Sequence, residues 1–305
     1  MNDELLKKFA RPLIILATII WGSSFVIMKG ALDTMPIFYL LAFRFSVAAI
    51  FLAILFRKRW KLFSKKYLIS GLVMGTLLFA AYAVQTYGLA ETTPGKNAFL
   101  TSVYCVFVPF LYWIVSKQAP DKYNMSAALL CIMGVGFVSL TSDLTINRGD
   151  ALTLVGGAIY ACHIVAVARM SQGKDVFILT STQFAVTAAW AWIFAAIFAD
   201  FPSAAVFAEN MGGLLYLTFA ATAGALLFQN MGQKYTPPAT AAVLLSLEAP
   251  FSILFSVLSG SEVLTGQICV GFAFIFVSII CSETKFSFLR KKAAALSHAA
   301  STPKK

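Results

Sequence analysis

Three ionisable side chains, Arg44, His163 and Glu248, lie well inside long apolar runs of this chain. A charged group at the centre of a lipid-spanning helix costs about 2.5–3.5 kcal/mol on insertion scales. Each should therefore face a protein interior or a water-filled cavity. There it could contact a solute, carry a proton or form a structural polar pair between helices. Arg44 and Glu248 have opposite charges and could pair with each other.

Polar and aromatic residues recur around these groups. "QTYGLAETTPGKNAFLTS" at 85–102 returns as "QNMGQKYTPPATAAVLLS" at 229–246. Both run Gln, then Gly three residues on, then Thr-Pro, then a small-residue helix start. Gln85 and Gln229 are thereby a matched pair. Trp21 and Tyr160 are another, able to wall a cavity against an apolar or aromatic solute, or simply to pack. Tyr82 lies one helical turn before Gln85 and can share its face. Asn97 and Tyr104, seven residues apart, would share a face on an unbroken helix. Gln183 stands where Arg44 does in the repeat described below, and Ser24 where His163 does. These twelve side chains are the candidates for solute contact.

Other chemistries find little support. The five cysteines lie in apolar runs without CxxC or Cys/His spacing, so they read as small packed hydrophobes. No disulfide framework, metal site or cofactor is implied. A membrane-embedded enzyme needs convergent His, Asp, Glu, Ser or Cys groups. This chain has two His, and one, His298, is in the C-terminal tail. We expect no catalytic residue. A channel would need charge rings or a carbonyl filter, and neither is visible.

The elements that must position the candidates are membrane helices. The 305 residues are 59% hydrophobic and 12% charged, with mean hydropathy +0.81. A soluble domain carries about 25% charge. Ten segments approach the roughly 17–25 apolar residues a span requires: 13–32, 37–56, 67–88, 97–116, 124–141, 150–169, 177–198, 212–232, 238–258 and 265–283. The first lacks an A-x-A cleavage pattern and is expected to be retained. The net charge of +11 sits at the ends of these runs, which argues against a nucleic-acid partner. With the N-terminus cytoplasmic, 20 Lys and Arg fall on the cytoplasmic side and 3 on the other. Both termini are then cytoplasmic, in a multi-pass protein of a prokaryotic cell membrane. The basic stretch 284–305 would anchor on anionic lipid.

The halves echo each other at an offset of 139: "FYLLAFRFSVAA" (38–49) with "FILTSTQFAVTA" (177–188), and "WGSSFVIMK" (21–29) with "YACHIVAVA" (160–168). Five spans per half is an odd number, so the second copy must be inverted. Inverted repeats suit a carrier that exchanges inward and outward shapes around a midplane site. We expect an all-α integral membrane fold of ten helices as two inverted five-helix repeats, 12–141 and 150–283. Pro109 and Pro250 are expected to interrupt spans four and nine. Gly88 is expected to end span three. Gly71 and Gly75 form a GxxxG pair, which leaves monomer and homodimer both open.

Residues 12–283 resemble the drug/metabolite transporter superfamily, EamA type. The resemblance rests on "WGSSFVIMKGAL" (21–32), "FRF" (43–45), "GLAETTPGKNAFLTSVYCVFVPF" (88–110) and "YTPPATAAVLLSLEAPFSILFSVLSGSEVLTG" (235–266). It departs from the family pattern at Glu248-Ala249-Pro250 and at the "SGSE" ending on Glu262. The resemblance implies a central cavity and export of a small organic metabolite, amino acid or amphipathic drug-like compound. Import of a metabolite is the alternative. No Walker A string is present, so ATP is not the expected fuel, and proton coupling through Glu248 or His163 stays open.

Overall fold

The structure, a computed structural model, describes residues 3–139, 147–261 and 263–285. Glu262 and the tail 286–305, with His298, lie outside the described residues. Within them every regular element is helical. The first three are α1 (Asp3–Ala31), α2 (Ile37–Leu55) and α3 (Lys65–Ala90). Then come α4 (Pro94–Thr101), α5 (Tyr104–Ser116), α6 (Lys122–Ser139), α7 (Arg148–Met170) and α8 (Val176–Phe198). The last five are α9 (Ala204–Tyr216), α10 (Ala225–Gln233), α11 (Pro238–Leu245), α12 (Glu248–Leu258) and α13 (Gly266–Thr284).

Among the described residues, eight stretches are long and apolar enough to cross a membrane. Three of these are composite: α4 with α5, α9 with α10, and α11 with α12. The two further apolar segments, α6 and α13, pack against each other.

Turn chemistry explains the helix starts. Thr93 caps α4 by accepting from the Lys96 amide at 3.4 Å, and Pro94 occupies the first helical position, where its missing N–H costs nothing. The echo string also opens its helix on a proline, Pro238 of α11, but there Pro237 is the N-cap and no side chain caps the start. Asn147 and Asp150 form a reciprocal capping box on α7, at 2.8 and 3.1 Å. Asp175 caps α8 through the Phe177 and Ile178 amides.

Two expectations need correction. Spans four and nine break at Ser102–Val103 and Ser246–Leu247, before the prolines. Pro250 sits in the first turn of α12, where the ring's clash with the carbonyl four residues back falls on Ser246, in the break itself. Pro109 lies inside α5. Gly88 does not end α3, which runs two residues further. A Cβ there would run into Thr153 Oγ1 and come within 2.8 Å of the Gly149 carbonyl, so Gly88 lets α7 approach. The Gly71/Gly75 face packs on α8, at Thr182, Gln183 and Val186, within the same chain.

Packing is symmetric between the halves. α2 lies on α8, and α6 on α13. α3 packs on α7 as α1 packs on α10, and α4 packs on α12 as α11 packs on α5. Exchanging the halves maps this set of pairs onto itself. Large apolar side chains such as Ile54, Ile197 and Leu258 point outward, while Arg44, Asn97, Gln183 and Glu248 are buried. That inside-out distribution is what a hydrocarbon solvent demands.

Candidate functional site

A stripe on α1 starts the site. Trp21, Ser24, Phe25 and Met28 follow the i, i+3, i+4, i+7 spacing of one helix face. Opposite them lie Arg44 of α2, Tyr82 and Gln85 of α3, Tyr160 and Ile164 of α7, and Leu226 and Gln229 of α10. Thr101 and Tyr104 flank one helix break, and Leu245 and Glu248 flank the other. These side chains enclose a cavity with about 40 Å³ of free volume, room for roughly three waters.

The two breaks are alike. Each short helix runs eight residues from a proline, followed by two residues in a tight turn that keeps right-handed helical dihedrals. Hydrogen bonds then step from the fourth carbonyl back to the third: Cys105 N to Ser102 O at 3.0 Å, Ala249 N to Ser246 O at 3.2 Å. Such mid-helix tightening marks hinges and functional positions. The first residue after each break reaches its counterpart: Tyr104 Oη donates to Glu248 Oε1 at 2.9 Å. The two sites therefore meet across the halves.

Arg44 is 1% exposed and makes no ion pair with Glu248. Its Nε donates to Thr222 Oγ1 at 2.8 Å, and its Nη1 to Met28 Sδ at 3.3 Å. The guanidinium lies 5.0 Å from the Tyr82 ring centre and 5.4 Å from that of Phe45. Thr222 belongs to a π-helical stretch, Leu217–Gly224, which joins α9 to α10. The Ala221 carbonyl in the same stretch accepts from Trp21 Nε1 at 2.9 Å. This local widening of the helix thus holds both a cavity cation and a cavity aromatic.

Gln85 and Gln229 are not used alike. Gln85 Nε2 donates to Thr101 Oγ1, and its Oε1 accepts from Tyr160 Oη, both at 3.0 Å. Gln229 makes no side-chain hydrogen bond among the described residues and faces the cavity. Ser24 Oγ donates to its own helix, at the Trp21 carbonyl.

Nine of the twelve expected residues line the cavity; Asn97, His163 and Gln183 do not. The break at Ser102–Val103 separates Asn97 from Tyr104, so the seven-residue spacing no longer places them on one face. Asn97 Nδ2 instead ties α4 to α3 and α7, through Gln85 O at 3.2 Å and Thr153 Oγ1 at 2.7 Å. His163 and Gln183 lie beside each other, fully buried, without meeting hydrogen-bond geometry. They belong to a polar cluster of α7, α8 and α10, where Asn230 Nδ2 donates to Thr180 Oγ1. Gln233, Ser171 and Thr236, also of the second half, are likewise buried and carry unpartnered side-chain atoms.

The other end of the bundle is closed by satisfied polar contacts. Lys29 Nζ donates to the Leu89 and Ala90 carbonyls at the end of α3. Lys96 pairs with Asp150 at 2.6 Å, and Thr92 also donates to that carboxylate.

Phe25, Met28, Thr101, Ile164, Leu226, Leu245 and the anchoring Thr222 were not legible as site residues. Only the α1 stripe carried a signal, its helical spacing from Trp21. Of the cysteines, Cys105, Cys131 and Cys281 are buried as expected, whereas Cys269 is exposed. Among the described residues no three His, Cys, Asp or Glu side chains converge as a metal site would require.

Comparison with known proteins supplies the family and the fold. The model of the EamA-like transporter family matches twice, at residues 9–140 and 147–284. An uncharacterized transporter of Archaeoglobus fulgidus is 35% identical over 269 residues, covering 87% of this chain and 82% of that protein. The uncharacterized transporter YoaV of Bacillus subtilis is 23% identical, covering 92% and 97%. A solved crystal structure superposes with a TM-score of 0.73 at 16% identity, over 92% of this chain and 99% of that one, and shows the fold alone. With both halves matched and the relatives spanning nearly the whole chain, the protein belongs to the EamA-like transporter family of the drug/metabolite transporter superfamily.

Proposed function

We propose that the protein is a secondary transporter that exports a small organic solute across a prokaryotic cell membrane. The solute binds in the central cavity, and the two halves rock around it. The reading has ten spans, two inverted repeats and both termini in the cytoplasm. The exchangeable packing pairs and the Lys/Arg asymmetry support it. Export is the direction that membership of the family favours.

One observation carries the proposal: polar cavity groups from both halves meet at paired helix breaks, with Tyr104 bonded to Glu248. Broken helices at membrane depth are tolerated where they line a cavity. The cavity's small volume fits an occluded conformation, so loading requires the halves to separate.

Uptake of a labelled compound panel into proteoliposomes, with and without a pH gradient, tests this. Accumulation abolished by Tyr104→Phe with Glu248→Gln is expected for at least one compound. Folded protein that moves none of a broad panel would overturn it. Dependence on the pH gradient would identify proton coupling.

A further inference from the structure

Polar side chains without partners gather in one place, away from the central cavity. Thirteen buried side-chain atoms find no hydrogen-bond partner among the described residues, and nine of them belong to His163, Ser171, Gln183, Asn230, Gln233 and Thr236. None of these six residues is more than 5% exposed. All lie in the second half, on α7, α8, α10 and the turns at their Lys234 end.

Hydrogen bonds fix how these pieces meet. Gln172 Nε2 donates to the Lys234 carbonyl at 3.2 Å, which brings the end of α7 onto the end of α10. Deeper in, Asn230 Nδ2 donates to Thr180 Oγ1 at 2.9 Å and joins α10 to α8. Gln233 lies one turn from Asn230 and Gln183 one turn from Thr180, so each amide shares a face with that bond. His163 lies beside Gln183 and eight residues before Ser171. Eight residues of helix span roughly 12 Å. The residues therefore form a seam that runs inward from the Lys234 face, not a single cage. Tyr160 and Ile164 line the central cavity, so α7 presents one face to the cavity and another to the seam.

The shared fold does not require this polarity. At the repeat-matched positions of the first half, Leu32, Leu41 and Leu89 stand in place of Ser171, Thr180 and Gln233. Leaving buried polar atoms unpaired is costly, and folded proteins pair nearly all of them with protein or with water. Gln183 and Gln233 each present an unpaired donor and an unpaired acceptor, and a neutral imidazole at His163 offers one of each. A cation would satisfy only the acceptors and an anion only the donors. Water satisfies both.

We propose that the seam is a binding site for a file of water molecules, entered at the Lys234 face and reaching His163 behind the cavity wall. It lies within the second half and is separate from the cavity between the halves. It stands on the polar geometry alone and does not rest on the transporter reading.

Hydroxyl-radical footprinting by X-ray radiolysis, on the purified full chain in nanodiscs, tests this. Radicals formed from bound water label side chains that bulk solvent does not reach. Phe184 is the control, fully buried and adjacent in sequence to Gln183. With rates normalised for intrinsic reactivity, His163 should be labelled at least fivefold faster than Phe184. Gln233→Leu removes both polar atoms near the mouth. It should cut labelling of His163 at least threefold and lower the thermal midpoint, because the waters lose an anchor. In a dry seam the same change relieves two unpaired atoms and raises the midpoint. Labelling of His163 no faster than Phe184 overturns the inference, and so does a raised midpoint in Gln233→Leu. If the leucine variant fails to fold, the labelling ratio in the parent decides alone.

Discussion

Thr222→Val is the sharpest test of how the cavity cation is held. The change deletes one hydroxyl and keeps the side-chain shape, so it opens no cavity. That hydroxyl accepts from Arg44 Nε at 2.8 Å and donates to the Leu217 carbonyl at 2.7 Å. Hydrogen bonds to charged groups contribute about 1.5–3 kcal/mol in folded proteins. Between membrane helices the average is nearer 0.6 kcal/mol, with a maximum of about 1.7 kcal/mol. Arg44 is a charged donor with almost no access to water, so the upper part of the membrane range applies. A loss of about 1.5 kcal/mol is expected, read by reversible unfolding in mixed micelles. A solute that depends on a correctly aimed Arg44 should bind about tenfold more weakly, since about 1.4 kcal/mol corresponds to a factor of ten. Thr222→Ser keeps the oxygen and should behave like the parent. If the valine variant matches the serine variant in both stability and affinity, the π-helical stretch does not position Arg44.

Gly88→Ala should destabilise by about 1–3 kcal/mol through overpacking, because its Cβ meets Thr153 and Gly149. Gly212→Ala, with open space around it, should be neutral or stabilising by up to about 1 kcal/mol, and thermal midpoints compare the two. Asp150→Asn strands Lys96 and should cost about 3 kcal/mol, at the low end for a broken buried pair because Lys96 keeps some exposure; unfolding in mixed micelles reads it. The unpartnered cluster around His163, Gln183 and Gln233 should open more readily than the satisfied end around Lys29 and Asp150. In a chain cleared of native cysteines, Gln233→Cys should react with a membrane-impermeant thiol reagent from the Lys234 side faster than Asn97→Cys reacts from the Lys96 side. Equal rates would refute that asymmetry.

Much of the fold was legible because lipid imposes a simple rule. A span must be long, helical and apolar, so hydropathy alone located every long apolar helix to within a few residues, apart from the start of α1 and the long approach through α9; the short polar 3₁₀ helix Arg57–Leu62 escaped it. The proline-opened corners at Thr93-Pro94 and Pro237-Pro238 were legible for the same local reason. Intramembrane charge and repeat-matched polarity picked out Arg44, Glu248, Gln85 and Gln229, since a polar group in hydrocarbon needs an interior reason to be there.

The rest depended on contacts between distant segments. Nothing near Thr222 marks it, because its partner is 178 residues away. His163 and Gln183 satisfy the same burial rule as Arg44 yet face a helix interface instead of the cavity. Which buried polar residues share a cavity is set by helix rotation and packing, and a one-dimensional pattern does not encode rotation once every face is apolar. The helix breaks, too, moved Asn97 off the face of Tyr104. Sequence by itself determined that polar groups must turn inward; tertiary packing decided which of them look at one another.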